Sequence, residues 1–166
     1  MNHIIRFGID LAKNSFAICG VDLHGKILLL KTLTRKQLLE FFAQQPGARV
    51  AMESGSGAHY WARELIKLVH DARIIDPRLL VPYRTQGRSG KNDMNDAIAI
   101  CEAAGRPQIH FFPVKSEDQQ AILLVNRLRR SAVAAHTRSI NQMRGLLAEF
   151  GIIAPKGADR YRDVTY

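Results

Sequence analysis

Cysteines, aromatic residues and long apolar runs are scarce in this sequence of 166 residues, and each scarcity excludes a class of protein. The two cysteines, Cys19 and Cys101, lie in apolar stretches without metal-ligand spacing, which predicts buried free thiols and argues against a disulfide or a zinc site. Aromatic residues make up 7% of the chain, and no basic amphipathic segment with exposed aromatics points to acidic lipid. No apolar run reaches the length of a membrane span, and the N-terminus lacks the pattern of a secretory signal. We therefore expect a cytoplasmic protein without a membrane partner.

Acidic residues are also few, and this deficit is the most informative feature of the composition. Fifteen Asp and Glu stand against 24 Lys and Arg, which gives a formal net charge of +9. Such a balance favours a polyanionic partner, most often nucleic acid. The alternative is a generically basic soluble protein.

Hydrophobic periodicity predicts an α/β domain over residues 1–113, with the element order β-β-β-α-β-α-β-α. A turn at Leu23–Lys26 joins the second and third strands, with Gly25 in the tight position. Thr34 is the predicted N-cap of the first helix. The second helix is predicted to bury Trp61, Leu65, Leu68 and Val69. Because the later strands alternate with helices, their connections should be crossovers in a largely parallel part of the sheet.

Residues 114–151 have a different composition and predict a long helix or helical hairpin with coiled-coil character. Two apolar stripes run along it, separated by a five-residue step that breaks a regular heptad. Arg127, Arg129 and Arg130 are candidates for nucleic-acid contact, and a solvated basic face is the alternative. Residues 152–166 read as a linker or a truncated tail.

Four acidic residues occupy positions that suggest a shared site. Asp10 ends the first strand, Glu53 ends the fourth, and Asp93 and Asp96 begin the helix after the fifth. The first and fourth strands are expected to be neighbours, and sites in open α/β sheets form at the carboxyl ends of strands. Each acid has a separate structural explanation: a turn cap for Asp10, an ion pair for Glu53, and dipole-favoured helix starts for the aspartates. One site explains all four positions together.

Four carboxylates in one place repel one another, and divalent cations relieve that repulsion. Mg²⁺ prefers oxygen ligands, and two ions about 4 Å apart can hold the attacking and leaving oxygens of a phosphodiester displacement. The basic loop before the last helix of the domain, with Arg84, Arg88 and Lys91, would attract the same polyanion.

Four segments resemble the N-terminal region of the DEDD transposases of the insertion-sequence 110 family. They are "FGIDLAKNSFAICGVDLHGKI", "VAMESGSG", "IIDPRLLVPYR" and "GRSGKNDMNDAIAICEAA". The segment "NRLRRSAVAAHTRSINQMRGLLAEFGI" resembles the helical region that follows in that family. The likeness extends to about Lys156.

The resemblance implies a ribonuclease H-like fold, similar to Holliday-junction resolvases, with a mixed sheet, flanking helices and then the long helix. It implies DNA transposition and recombination, with Asp10, Glu53, Asp93 and Asp96 as catalytic metal ligands. The expected cofactor is Mg²⁺, with two ions as the expected number and Mn²⁺ as the alternative. The implied partners are DNA and a structured RNA from the element. The long helix itself predicts further copies of the chain as a third partner. Family members also carry a C-terminal domain with a serine nucleophile, and these 166 residues contain no match to it. We therefore expect a truncated copy or one domain of a longer product.

Two other classes of function remain open at the level of sequence. A non-catalytic remnant that binds nucleic acid would explain the charge without any chemistry. An actin-like ATPase also opens with "GID" on a first strand, but the chain has neither the length nor a second Gly-rich loop for that fold. The six histidines are scattered and form no elbow or dyad motif, which argues against a serine or cysteine hydrolase.

Overall fold

The first three strands form an antiparallel meander in the computed structural model, which describes residues 3–84 and 92–155. β1 pairs with β2, and β2 pairs with β3. Gly25, in the turn between β2 and β3, has a φ of 80°, the left-handed conformation that the sequence predicted for it. The three strands are β1 (Arg6–Leu11), β2 (Ser15–Val21) and β3 (Ile27–Thr34).

The parallel part of the sheet is built by crossovers, as predicted. β4 (Arg49–Glu53) runs parallel to β1, and β5 (Asp71–Ile75) runs parallel to β4. A short β6 (Phe111–Phe112) pairs antiparallel with β5 and was not predicted, since two residues carry no periodicity. The strand order is β3-β2-β1-β4-β5-β6. The predicted mixed sheet is confirmed.

Helices cover both faces of the sheet. The core on one face joins α1 and α2 to the strands through Phe7, Phe42, Trp61 and Leu65. α4 packs on the opposite face against β1, β2 and β4. Cys19 and Cys101 meet on that face as buried free thiols, which confirms their prediction. The helices are α1 (Gln37–Ala43), α2 (Ala58–Lys67), α3 (Pro77–Leu80), α4 (Asp93–Ala103) and α5 (Glu117–Ala148).

The predicted start of α1 at Thr34 is wrong. Thr34 is the last residue of β3, and α1 begins at Gln37 with Lys36 as its N-cap. The Thr34 N–H and the Thr34 Oγ1 hydroxyl donate to Gln37 Oε1 at 3.0 and 2.9 Å, so Thr34 and Gln37 are paired. This pairing joins the strand end to the first helical turn and does not cap the helix.

The predicted burial of Val69 is also wrong. α2 ends at Lys67, and Val69 is 82% exposed with a φ of 66°. The Val69 N–H donates to Ile66 O, and the His70 N–H donates to Leu65 O. These two bonds form a Schellman motif, whose left-handed position usually holds glycine. A β-branched residue is strained there.

Val69→Gly should therefore stabilise the protein by about 0.5–1 kcal/mol. The left-handed conformation costs an L-residue about 1–2 kcal/mol, and the larger chain entropy of glycine removes part of that gain. Little burial is lost, because the valine side chain is exposed. Thermal or urea unfolding measures the change, and Val69→Ala, which keeps a Cβ, should gain less. A glycine variant no more stable than the parent would contradict the assignment of strain.

The chain separates into two compact units, one up to Ser116 and one from Glu117 onward. In the second unit α5 is one continuous helix of 32 residues, so the hairpin alternative is wrong. Gly151, with a φ of 73°, ends it where the sequence predicted a stop. None of the described α5 residues is buried. Within residues 3–84 and 92–155, no helix has both the length and the apolar character required to cross a membrane.

Candidate active site

Asp10 and Glu53 lie at the same edge of the sheet because of the register of β1 and β4. Ile9 pairs with Met52, so the next residue on each strand is one of the two acids. Ile9 and Met52 belong to the core beneath α1 and α2. Since side chains alternate between the faces of a sheet, Asp10 and Glu53 point to the face that α4 covers.

The first turn of α4 brings the other two acids to this edge. The Asn92 side chain caps the helix by accepting a hydrogen bond from Met94 N–H at 3.0 Å. Asp96 is buried, whereas Asp93 is exposed. The side chains by which α4 packs on the sheet recur every three to four residues and form one stripe along the helix, and Asp93 and Asp96 continue this stripe at its N-terminal end. The buried part of that stripe comprises Asp96, Ala97, Ile100, Cys101 and Ala104. Packing of its apolar part therefore carries the acidic start of the helix toward Asp10.

All four acids line a single cleft of about 320 Å³. Four segments contribute to it: the end of β1, the end of β4 with the turn that follows, Arg84 beyond α3, and the start of α4. The Ser54 N–H donates to Ile75 O at 2.8 Å and fixes that turn to β5. The residues that line the cleft are Asp10, Leu11, Glu53, Ser54, Gly55, Arg84, Asp93 and Asp96. The convergence required for a shared site is present, and the role of these acids as metal ligands stays a prediction.

The cleft is strongly unfavourable for a further negative charge. The pKa of Asp10 is raised from 3.8 to about 6, chiefly by burial and then by the charges of Asp96, Asp93 and Glu53 in that order, while Arg84 acts in the opposite direction. Desolvation and like charges are the two conditions that disfavour an ionised carboxylate. Asp10 is therefore the member of the cluster whose charge most needs a positive neighbour.

Arg84 supplies the positive charge within the cleft. Its Nη2 donates to Glu53 Oε2 at 2.6 Å, and its Nε donates to Asp96 Oδ1 at 2.9 Å. The two carboxylates belong to β4 and α4, so one guanidinium links the sheet to the helix. The sequence marked Arg84 as a nucleic-acid contact and missed this pairing.

The donor set of the cleft suits a hard divalent cation, because every candidate ligand is a carboxylate oxygen. No group of three or more His, Cys, Asp or Glu side chains among residues 3–84 and 92–155 is already placed to hold a metal ion. Arg84 accounts for part of this, since it holds Glu53 and Asp96 on its own donors. The residues fit a cation by their chemistry, and the side chains would have to turn toward it.

The other predicted contacts fall elsewhere. Arg88 and Lys91 lie outside the described residues. Arg127, Arg129 and Arg130 lie on α5, in the second unit, and are exposed. Arg127 and Arg130 are three residues apart and are neighbours on the helix surface, whereas Arg129 projects from a different side. The three therefore do not form one basic stripe.

Gly8 does not line the cleft but positions α4 against it, and the sequence analysis missed this role. A Cβ at this position of β1 would lie 2.5 Å from the Cys101 nitrogen and 2.7 Å from its Cβ, and it would also meet the Ala97 carbonyl oxygen. Only glycine lets α4 approach β1 this closely, and this approach places Asp93 and Asp96 near Asp10. The "GID" motif carried the signal, two residues before the acid.

Comparison with known proteins connects this arrangement to one family. The family model of the DEDD transposases of the IS110 type, described as a transposase, matches residues 7–152. A probable family 20 transposase from Pseudomonas aeruginosa is 46% identical over 154 residues, which is 93% of this chain and 45% of that protein. The transposase for insertion sequence element IS1328 from Yersinia enterocolitica is 44% identical over 157 residues, which is 95% of this chain and 46% of that protein. The chain thus spans about half the length of these curated relatives.

Among solved structures, the chain is similar to RuvC from T. thermophilus in complex with a Holliday junction substrate. The TM-score is 0.41 with 10% identity, over 66% of this chain and 100% of RuvC. The family match covers both the acidic cleft and α5, and both relatives are named as transposases. The chain therefore belongs to the DEDD transposases of the IS110 family.

Proposed function

We propose that this chain is the carboxylate-bearing part of a transposase, which carries out metal-dependent phosphodiester chemistry on DNA. The observation that supports the proposal is the convergence of Asp10, Glu53, Asp93 and Asp96 on one cleft. A cluster of acids lowers the stability of the fold, because like charges repel each other and burial disfavours the ionised carboxylate. Phosphodiester chemistry provides a reason for the cluster.

The four carboxylates would hold the cation, with Mg²⁺ as the expected ion, two ions as the expected number, and Mn²⁺ as the alternative. When bound, such ions supply a Lewis acid for the phosphate and a means to activate the attacking oxygen. Asp96 is buried and rigidly placed by α4, so it orients the cluster. Asp93, on the exposed side, faces the solvent from which a DNA strand would arrive. Asp10 becomes an ionised ligand more readily once a cation offsets its neighbours.

DNA is the proposed substrate, and a structured RNA of the element is a proposed partner. The net charge of +9 supports a polyanionic partner, because lysine and arginine release counterions from a phosphate backbone. Arg127 and Arg130 offer adjacent positive charges on α5 for such contacts. Arg84 lies in the cleft itself, at the place where a phosphate would meet the carboxylates.

A second copy of the chain is the proposed partner of α5. An isolated helix is marginal in water unless its apolar face is covered. Several of its large apolar side chains are more than half exposed, among them Leu124, Val125, Leu128 and Leu146. Pairing with the same helix of another copy would bury them as in a coiled coil.

Metal binding by the 166-residue chain tests the proposal. Mg²⁺ at about ten times its Kd should stabilise the parent by about 1.4 kcal/mol, which raises the Tm by about 3–6 °C. Asp93→Asn combined with Asp96→Asn should abolish this rise, because half of the ligand set is gone. Differential scanning fluorimetry with and without Mg²⁺ provides the measurement.

Glu102→Gln is the matched control for this experiment. It also removes a carboxylate from α4, but Glu102 pairs with Arg106 at the exposed far end of the helix. The control should keep the full response to Mg²⁺. An equal response in the double variant would contradict the proposed ligands. Absence of a response in the parent, together with salt-sensitive DNA binding, would instead support a non-catalytic module that binds nucleic acid.

A further inference from the structure

Arg84 makes two short charged contacts in the cleft, and both go to proposed metal ligands. The distances are 2.6 Å to Glu53 and 2.9 Å to Asp96, on two different elements. The arginine side chain is 34% exposed, whereas those of Glu53 and Asp96 are 25% and 11% exposed. The guanidinium therefore reaches inward from a partly open position to two more enclosed acids.

A guanidinium in this place does what a metal ion would do. It offsets the charge of two carboxylates and satisfies one oxygen of each with a charge-assisted hydrogen bond. A divalent cation at the same carboxylates would meet a like charge a few ångströms away and would compete for the same oxygens. A metal ion and the Arg84 guanidinium would therefore compete for the carboxylates of Glu53 and Asp96.

We propose that Arg84 is the resident counter-cation of the metal-free cleft, which metal binding displaces from Glu53 and Asp96 and so frees to bind a phosphate of the nucleic acid. This inference rests on the proposed function, because it takes the cleft to be the metal site. Guanidinium is well suited to both partners, since its planar fork pairs with carboxylate and with phosphate.

The exchange links the binding of metal to the binding of nucleic acid. Without metal, the guanidinium is engaged by carboxylates and the cleft presents no free positive charge from Arg84. With metal, the same side chain becomes a phosphate contact. Such coupling is reciprocal, so a DNA duplex should also raise the affinity of the chain for Mg²⁺.

Two Arg84 variants test the inference, and a neighbouring arginine serves as control. Arg84→Gln removes the charge, and Arg84→Lys keeps the charge without the fork. Arg78→Gln removes an arginine from the neighbouring α3, where Arg78 pairs with Asp76 at the surface. Arg78 does not line the cleft. All four proteins are titrated with Mg²⁺ and with Mn²⁺ by calorimetry, and their Tm is measured in EDTA.

Loss of the Arg84 charge should lower the stability of the metal-free protein and raise its affinity for Mg²⁺. Arg84→Gln should lower the Tm in EDTA, because the carboxylates lose their counter-charge, and should bind Mg²⁺ roughly tenfold more tightly. That factor is the effect that one adjacent charge commonly has on proton binding by a carboxylate. Arg84→Lys should fall between Arg84→Gln and the parent, and it keeps the test available if the glutamine variant does not fold. Arg78→Gln should bind Mg²⁺ like the parent.

Binding of a short DNA duplex provides the second readout. Arg84→Gln should weaken binding in the presence of Mg²⁺ and leave binding in EDTA unchanged, since the guanidinium is engaged in the metal-free cleft. Equal or weaker Mg²⁺ binding by Arg84→Gln, with normal binding by the parent, would overturn the inference and leave the proposed function intact. If neither the parent nor any variant binds Mg²⁺ or Mn²⁺, the proposed function is overturned and the inference with it.

Discussion

Gly8→Ala is expected to destabilise the sheet unit by about 3 kcal/mol, at the upper end of the range for overpacking a core. The new Cβ would overlap atoms of Cys101 and the carbonyl oxygen of Ala97. Two of the three nearest atoms belong to the helix backbone, which cannot rotate away as a side chain can. Either α4 or β1 must move.

Urea unfolding at neutral pH in EDTA measures this loss of free energy. In thermal unfolding, the same loss should lower the Tm of a two-state transition by about 10 °C. Gly105→Ala is the control. The three atoms nearest to a Cβ at Gly105 all belong to the guanidinium end of the Arg6 side chain, which can shift more easily than backbone. The control should cost far less. If the two alanine variants are equally stable, the close contact of α4 with β1 is not what sets the position of the helix.

Asp10→Asn is expected to stabilise the metal-free protein at neutral pH, on the order of 1–2 kcal/mol after allowance for solvent screening. Asparagine has the shape of aspartic acid without its charge. It therefore removes the repulsion from Asp96, Asp93 and Glu53 and the cost of burying an ionised carboxylate. Substitution of a proposed metal ligand would thus improve stability, because the folded domain holds Asp10 close to other negative charges.

The pH dependence of this gain follows from the direction of the shift. The pKa of Asp10 is raised from 3.8 to about 6, so the folded state holds the proton more tightly than the unfolded state. The stability contributed by the protonated form is complete below pH 4 and is lost as the pH rises through 6. Parent and variant should therefore be equally stable near pH 4, and the advantage of the variant should level off above pH 7. Unfolding in EDTA across this range is the measurement.

Asp71→Asn provides a control of opposite sign. Burial by itself would raise the pKa of Asp71, but hydrogen bonds from Arg49 and Arg73 hold it below the ordinary value. This substitution should destabilise the protein at pH 7, and its cost should fade as the pH drops through the carboxylate range. A gain for Asp10→Asn that does not change with pH would contradict the electrostatic explanation.

Local chemistry explains why the acidic residues could be located from the sequence. Asp10 and Glu53 each interrupt an apolar run, and a charged residue at the end of a buried strand is a local signal. Asp93 and Asp96 follow an N-cap residue and precede helix formers, which is another local signal. The crossover rules then make β1 and β4 neighbours. The signals that mark the four acids each span only a few adjacent residues.

The errors arise where hydrogen bonds or ion pairs of the folded chain override the pattern of residue types. Val69 continues the apolar pattern of α2, yet a Schellman motif ends the helix before it. Thr34 has the chemistry of an N-cap, yet pairing with Ser15 keeps it in β3. Arg84 has the sequence context of a solvated loop, and its partners lie 31 and 12 residues away in the chain.

The sequence by itself determined the α/β order of elements, the positions of the four acids and the basic balance of the chain, because each depends on residue type and short-range spacing. Only the tertiary structure decided that Gly8 lets α4 pack closely on β1, that Asp10 is the acid with the raised pKa, and that Arg84 joins Glu53 to Asp96. Those facts depend on which atoms meet across the sheet. Such distances are set by packing of the whole domain, and no local pattern of residues encodes them.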